Sequence, residues 1–268
     1  MKKYLRFFLW HYLPFVCTAV ALLLLLYVGV RLHSYFSYAE EQSMEVSVNA
    51  KSDTLTVVFI GDSWATYHQP HTQLLAQMLE NRTGRKTCVK SHGLVGAKTK
   101  TIYEALYDSI GGFRKFLTMC PDYCILSAGI NDAVAGIGPA NYCYHYRLVL
   151  RQLLALGITP VVLDMPNVGY GAVRQRESLL VKIRHHLFHL WTGTADLCFD
   201  DYRSSLKKML RKDGLGTRVV YIPNGKWNAN GFTDDRNLYL RDSIHLSAKG
   251  YAVLDSCLAE SVGSLFLP

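Results

Sequence analysis

The chain has 268 residues, half of them hydrophobic, with 29 basic against 21 acidic side chains. That length buries a core comfortably, and the mixed composition excludes a disordered, collagenous or low-complexity chain. The net charge of +8 is unevenly placed: Lys2, Lys3, Arg6 and Arg31 stand in a segment without acids, leaving 25 basic against 21 acidic residues beyond it, which argues against a nucleic-acid surface.

From Phe7 to Val30 there is no Asp, Glu, Lys or Arg, and "VCTAVALLLLLYVGV" is almost purely aliphatic. About 20 such residues suffice to cross a bilayer, so the pattern predicts a membrane-spanning signal-anchor helix over 13–30 behind a cytoplasmic N-terminus at 1–12. Lys2, Lys3 and Arg6 precede it, and the positive-inside rule places everything after Arg31 outside the cytoplasm. The rival is a cleaved signal peptide, with Ser37 and Ala39 at the small-residue positions of a cut after Ala39. Against it, the apolar run exceeds the ~7–15 residues of a signal core and stops well before that site. Either route exports the rest of the chain, as a membrane-held or a secreted protein. Residues 31–54 are polar and weakly patterned and read as a stalk, leaving 55–268 as the folded domain.

Within that domain apolar runs alternate with helical patterns. "LTVVFI", "TCVKSH", "PDYCILSAG", "ITPVVLDM" and "TRVVYIP" read as five strands. Between and after them, "QPHTQLLAQMLENRTG", "KTIYEALYDSI", "NYCYHYRLVLRQLLALG", "DDYRSSLKKMLRK" and "SAKGYAVLDSCLAESV" read as helices, the last with Ser247 as its N-cap. Strands separated by helices of this length predict a mainly parallel sheet covered on both faces, an α/β fold. A further helical pattern lies around "RQRESLLVKIRHHLFHLW", followed later by the polar loop "NGKWNANGFTDDRNLYLRD".

Beyond Cys17 in the apolar run there are six cysteines (88, 120, 124, 143, 198 and 257), with no disulfide pattern that spacing assigns. Cys124 falls inside a strand and reads as a buried thiol. The step from Cys120 to Cys124 has no matching Cys or His pair, and His185, His186 and His189 have helical spacing without a third ligand, so no metal is expected.

In open parallel sheets the ligand site lies beyond the carboxyl ends of the strands. The polar residues at those ends are Asp62 and Ser63 after the first strand, Gly93 and Gly96 after the second, and Asn131 and Asp132 after the third. Asp242 and His245 stand before the last helix. Each is an ordinary turn or cap residue on its own; together, in this order, they make a set of parts. A serine hydroxyl is a weak nucleophile that needs a base, imidazole serves near neutral pH, and a carboxylate fixes its tautomer. Ser63 is therefore the expected nucleophile, His245 the base and Asp242 its orienting acid. The N–H groups of Ser63 and Gly96 and the amide of Asn131 are the expected oxyanion donors. Asp132 reads as a structural residue of its turn.

These residues resemble the SGNH hydrolases, or GDSL-type esterases and lipases: "GDS" at 61–63, a glycine of "GLVGAKT", "GIND" at 129–132 and "DSIH" at 242–245 match the family's four blocks in order and rough spacing, over about residues 55–262. The resemblance implies a flavodoxin-like three-layer α/β/α fold, acyl hydrolysis or transfer on esters with no metal or organic cofactor, and a triad completed by Asp242. The second block is loose, with Gly93 or Gly96 as the donor; "GAKT" favours Gly96. Trp64 departs from the smaller residue common after the serine and is expected to wall the pocket. Trp227 and Phe232 are candidates for stacking on a sugar ring.

The expectation is a membrane-anchored serine esterase acting on short acyl groups such as acetyl, with an ester, including an acylated carbohydrate, as substrate. The alternatives are an extracytoplasmic O-acyltransferase modifying a cell-envelope polysaccharide with the same triad, and a non-catalytic carbohydrate-binding module.

Overall fold

The computed structural model describes residues 10–44, 53–169, 199–228 and 236–266, with isolated positions at 171, 178, 179, 182, 183 and 186. Two compact units, 1–38 and 39–268, divide the chain. In the first, α1 (Leu13–Phe36) is a 24-residue helix. Its stretch Leu13–Val30 is long and apolar enough to cross a membrane, a property that signal sequences share, and Leu22 to Leu26 are all exposed.

The second unit runs β1 (Leu55–Gly61), α2 (Ser63–Tyr67), α3 (Thr72–Thr83), β2 (Thr87–Gly93), α4 (Thr99–Ala105), α5 (Arg114–Leu117), β3 (Tyr123–Ser127), α6 (Ile130–Val134), α7 (Pro139–Ala155), β4 (Thr159–Leu163), α8 (Phe199–Lys212), β5 (Val220–Ile222) and α9 (Ala248–Gly263). The five strands form one sheet in the order β2-β1-β3-β4-β5, every pairing parallel. Against this sheet α3 packs with α9, and α7 packs with α4 and α8.

Strand composition follows position. Val57, Val58, Phe59 and Ile60 of β1 are fully buried in succession, as a strand covered on both faces requires. β2 at the edge alternates instead, with Thr87 and Val89 buried and Lys90 exposed. The predicted helix over 100–110 stops at Ala105, because Asp108 Oδ1 accepts the Ile110 amide at 2.9 Å and Phe113 N–H returns to Ala105 O at 2.7 Å, closing a turn that competes with the helix.

In place of a free stalk over 31–54, the helix continues to Phe36 and residues 39–44 lie against α4 and α7. Ala39 N–H donates to His145 Nε2 at 3.0 Å, and Tyr144 Oη donates to Ala39 O at 2.9 Å. Tyr103 Oη accepts from Gln42 N at 2.7 Å, Tyr107 Oη donates to Gln42 O at 2.9 Å, and Met44 is buried. Tyrosines on another element satisfy this backbone, which local polarity does not reveal. Residues 45–52, most of the helical pattern at 174–191 including His185 and His189, and Phe232 lie outside the described residues.

Cys17, Cys88, Cys124, Cys143 and Cys257 form no disulfide among the described residues. Cys124 is buried in β3, and burial pushes its thiol well up.

Candidate active site

The strand order changes direction between β1 and β3, each leading to a neighbour on its other side, and the crevice beyond such a switch is where open α/β sheets bind ligands. Ser63 and Asn131 stand at that crevice. β1 ends at Gly61 (φ +149°), where a Cβ would lie 2.0 Å from Ser127 O of β3, so only glycine allows the chain to leave the sheet here. Asp62 then caps α2: its Oδ1 accepts the Trp64 amide at 3.0 Å and the Ser127 hydroxyl at 2.6 Å. Burial pushes Asp62 up to about 6, the two hydrogen bonds only partly countering it. The turn so fixed presents Ser63 as the first residue of α2, where its N–H has no helical acceptor.

His245 comes from a tight loop ahead of α9. Tyr239 and Leu246 bridge antiparallel, Leu240 N–H donates to His245 O at 2.7 Å, and Ser243 at φ +67° makes the reversal. Asp242 Oδ1 accepts the amides of Ile244 at 2.9 Å and His245 at 3.0 Å, while its Oδ2 lies 2.5 Å from His245 Nδ1. Partial burial pushes Asp242 up, but these bonds outweigh it and hold the carboxyl below its ordinary value. With Nδ1–H donating to Asp242, Nε2 is left to accept, and it stands 2.8 Å from Ser63 Oγ. The Tyr67 ring meets the imidazole edge-on at 4.7 Å.

Gly96 and Asn131 complete the rim of a cleft of about 180 Å³ that also contains Ser63 and His245. Asn131 Nδ2 donates to Ala97 O at 3.0 Å, which uses one of its two amide hydrogens and leaves the second for the cleft. Gly93 is placed differently: it pairs with Gly61, and a Cβ there would lie 2.0 Å from Asp62 O. Gly93 makes room for the serine turn, whereas Gly96 lines the cleft.

Trp64 is 2% exposed and lines this cleft as well as a cavity of about 10 Å³ behind it. Trp227 touches Trp64 edge-on at 5.7 Å between ring centres and lines only the rear cavity. At 6% exposed, Trp227 offers no open ring face to a sugar. Among the described residues no group of three or more His, Cys, Asp or Glu side chains is placed to hold a metal. Ser127, Thr99, Tyr251 and Asp255, which support these groups, carry no local motif and act across 33 to 187 positions of sequence.

The sequence model of the GDSL-like Lipase/Acylhydrolase family matches residues 59–253. No curated protein matches the chain. Solved structures with the same fold include acetyl xylan esterase AlAXEase (18% identity, TM-score 0.51, 79% of this chain and 100% of that one). The lipase/acylhydrolase from Enterococcus faecalis is 16% identical, with a TM-score of 0.53 over 80% of this chain and 97% of that one. The psychrotrophic esterase EstA from Pseudoalteromonas sp. is 12% identical, with a TM-score of 0.53 over 79% and 98%.

Proposed function

The chain belongs to the GDSL-like lipase/acylhydrolase family and is a hydrolase of that family, and we propose that it is a serine esterase cleaving short acyl esters through Ser63, His245 and Asp242. The observation that carries this reading is the unbroken relay from Asp242 Oδ2 through His245 to Ser63 Oγ, at 2.5 and 2.8 Å.

Ser63 Oγ attacks the ester carbonyl carbon while His245 Nε2 takes the hydroxyl proton, and Asp242 stabilises the imidazolium that forms. The oxyanion of the tetrahedral intermediate receives hydrogen bonds from the Ser63 and Gly96 amides and Asn131 Nδ2; losing one such donor typically costs ~10²–10³ in rate. The bond from carbon to the alcohol oxygen then breaks, and His245 returns its proton to that oxygen. Water repeats the sequence on the acyl-enzyme, releasing the acid and restoring Ser63.

The modest volume of the cleft and the Trp64 wall favour acetyl and other short acyl groups. The alcohol part, for which we favour a carbohydrate, leaves across the open rim. The N-terminal helix holds the domain at a membrane, outside the cytoplasm by the charge of Lys2, Lys3 and Arg6.

The test uses the full chain in detergent with a small aryl acetate, beside Ser63→Ala and His245→Ala. Turnover in the wild type, lost in both variants together with fluorophosphonate labelling of Ser63, is expected. No turnover and no labelling of the wild type would sink the reading. An added oligosaccharide acceptor distinguishes transfer, since acylated sugar would then form at the expense of free acid.

A further inference from the structure

Ser63 rides on a helix of five residues, which has no stability of its own, so its position depends on what grips α2. Beside the Asp62 cap and the Ser91 hydroxyl of β2, which donates to Ala65 O at 2.6 Å, two grips come from α9. Tyr251 Oη donates to the Trp64 carbonyl at 2.8 Å, inside the protein. Four residues along, one turn further on the same face, Asp255 Oδ1 meets His68 Nε2 at 2.8 Å, and His68 is the residue that closes α2. Neither side chain of this pair has any exposed surface. The second polar atom of each, His68 Nδ1 and Asp255 Oδ2, makes no hydrogen bond, so each spends its buried polarity on the other. His71 stacks on Tyr251 at 4.8 Å and Phe59 leans on His68 at 4.9 Å, closing the sides.

The other end of α9 governs the base. Ser247 caps it two residues after His245, donating its own N–H to Leu238 O at 2.8 Å and accepting from Gly250 at 3.2 Å. A Cβ on Gly250 would lie 2.1 Å from Leu238 O, so the start of α9 is pressed against the segment that leads into the His245 loop. One helix therefore fixes the loop of His245 at its first turn and the helix of Ser63 at its next two.

We propose that Tyr251 and the buried His68–Asp255 pair are positioning residues for the Ser63–His245 contact, setting the reach of the hydroxyl to the imidazole through α9. The proposal rests on the serine esterase reading, because the quantity it controls is nucleophile activation. None of the three lines the cleft, so substrate binding should be indifferent to them.

The experiment compares Tyr251→Phe, Asp255→Ala and Asp255→Asn in the full chain, reading kcat, KM for a small aryl acetate and the rate of fluorophosphonate labelling. Tyr251→Phe and Asp255→Ala should lower kcat and labelling together by ten- to a hundredfold, as misplacement of a reacting group by about 1 Å does, with KM within twofold. Asp255→Asn keeps an oxygen for His68 N–H and should restore most of the loss. Tyr251→Phe retains the ring, so the test stands if Asp255→Ala does not fold. Wild-type kcat and labelling in Tyr251→Phe, or an Asn variant as impaired as Ala, overturns the positioning role while leaving the esterase reading intact. A wild type that neither turns over nor labels overturns both.

Discussion

Asp132 Oδ2 accepts both the amide and the hydroxyl of Thr99, at 2.9 and 2.8 Å. Thr99 lies three residues after Gly96 and Asp132 one residue after Asn131, so this buried fork locks the Gly96 loop to α6, the two segments that carry the proposed oxyanion donors Gly96 and Asn131. The bond from Asn131 Nδ2 to Ala97 O runs alongside it. A preorganised donor pair costs nothing to align during reaction, which is why such ties matter to rate.

Asp132 is also the clearest source of pH dependence in stability. Burial pushes its carboxyl up to about 7, the Thr99 bonds only partly offsetting this. The folded state thus favours the uncharged acid more than the unfolded chain does. Its stabilising contribution is complete below about pH 4 and is lost as pH rises through about 7, at no more than ~1.4 kcal/mol per pH unit for one proton. Asp132→Asn keeps an oxygen for Thr99 and cannot titrate. Urea unfolding from pH 4 to 8 should show a shallower decline for the variant, though not a flat one, since Asp62 titrates in the same window. Identical slopes would refute the assignment.

The two glycines of the second block should respond in opposite ways. Gly93→Ala puts a methyl group 2.0 Å from the Asp62 carbonyl and 2.5 Å from the Thr66 amide, so the serine turn must shift; soluble folded protein should be scarce and inactive. Gly96 has open space around it and only a positive φ of 75° to hold, so Gly96→Ala costs about 1–2 kcal/mol of local strain. That variant should fold, with kcat reduced as its amide is displaced. Equal expression and equal activity of the two would remove the distinction.

How much of this was legible in the sequence depends on the range of the interaction. The five strands and their parallel arrangement followed from apolar runs alternating with helical patterns, and Ser247 was readable as a cap because capping acts over three residues. Ser63, Asn131, Asp242 and His245 were legible as candidates because the chemistry calls for such groups beside strand and helix ends, and they line or adjoin one cleft. The pairs Ser127–Asp62, Tyr251–Trp64 and His68–Asp255 were not legible, since nothing near Ser127 or Asp255 in the chain marks its partner. Trp227, in a polar loop, looked exposed; its contact with Trp64 buries it. The docked segment 39–44 looked like a tether because its partners are tyrosines on α4 and α7, more than 60 residues away.

Trp64 sets the next prediction, on acyl length. Its ring stands between the cleft and the rear cavity, and its indole N–H makes no hydrogen bond, so replacement by leucine loses packing alone. Trp64→Leu should join the two spaces and raise the kcat/KM ratio of hexanoate over acetate esters by tenfold or more, given ~1–3 kcal/mol per accommodated methylene. Stability should fall by a few kcal/mol from the emptied volume. A folded variant with the wild-type chain-length profile would show that the acyl group lies elsewhere in the cleft.

The segment 39–44 should come loose in acid. His145 has no exposed surface; its Nδ1 donates to Asn141 O at 2.9 Å, which leaves Nε2 to accept the Ala39 amide at 3.0 Å. Burial lowers its pKa to about 4. A depressed histidine contributes stability that is present above its unfolded value of 6.5 and is lost as pH falls through about 4, when a proton on Nε2 replaces the acceptor that Ala39 needs. Cleavage of the full chain within residues 39–44 by an acid-active protease should therefore be slow above about pH 6.5, rise as pH falls towards 4 and level off below about pH 4. His145→Gln, which has no titrating nitrogen, should show no such step. Should wild type and variant be cut alike across this range, His145 is not what holds the segment down.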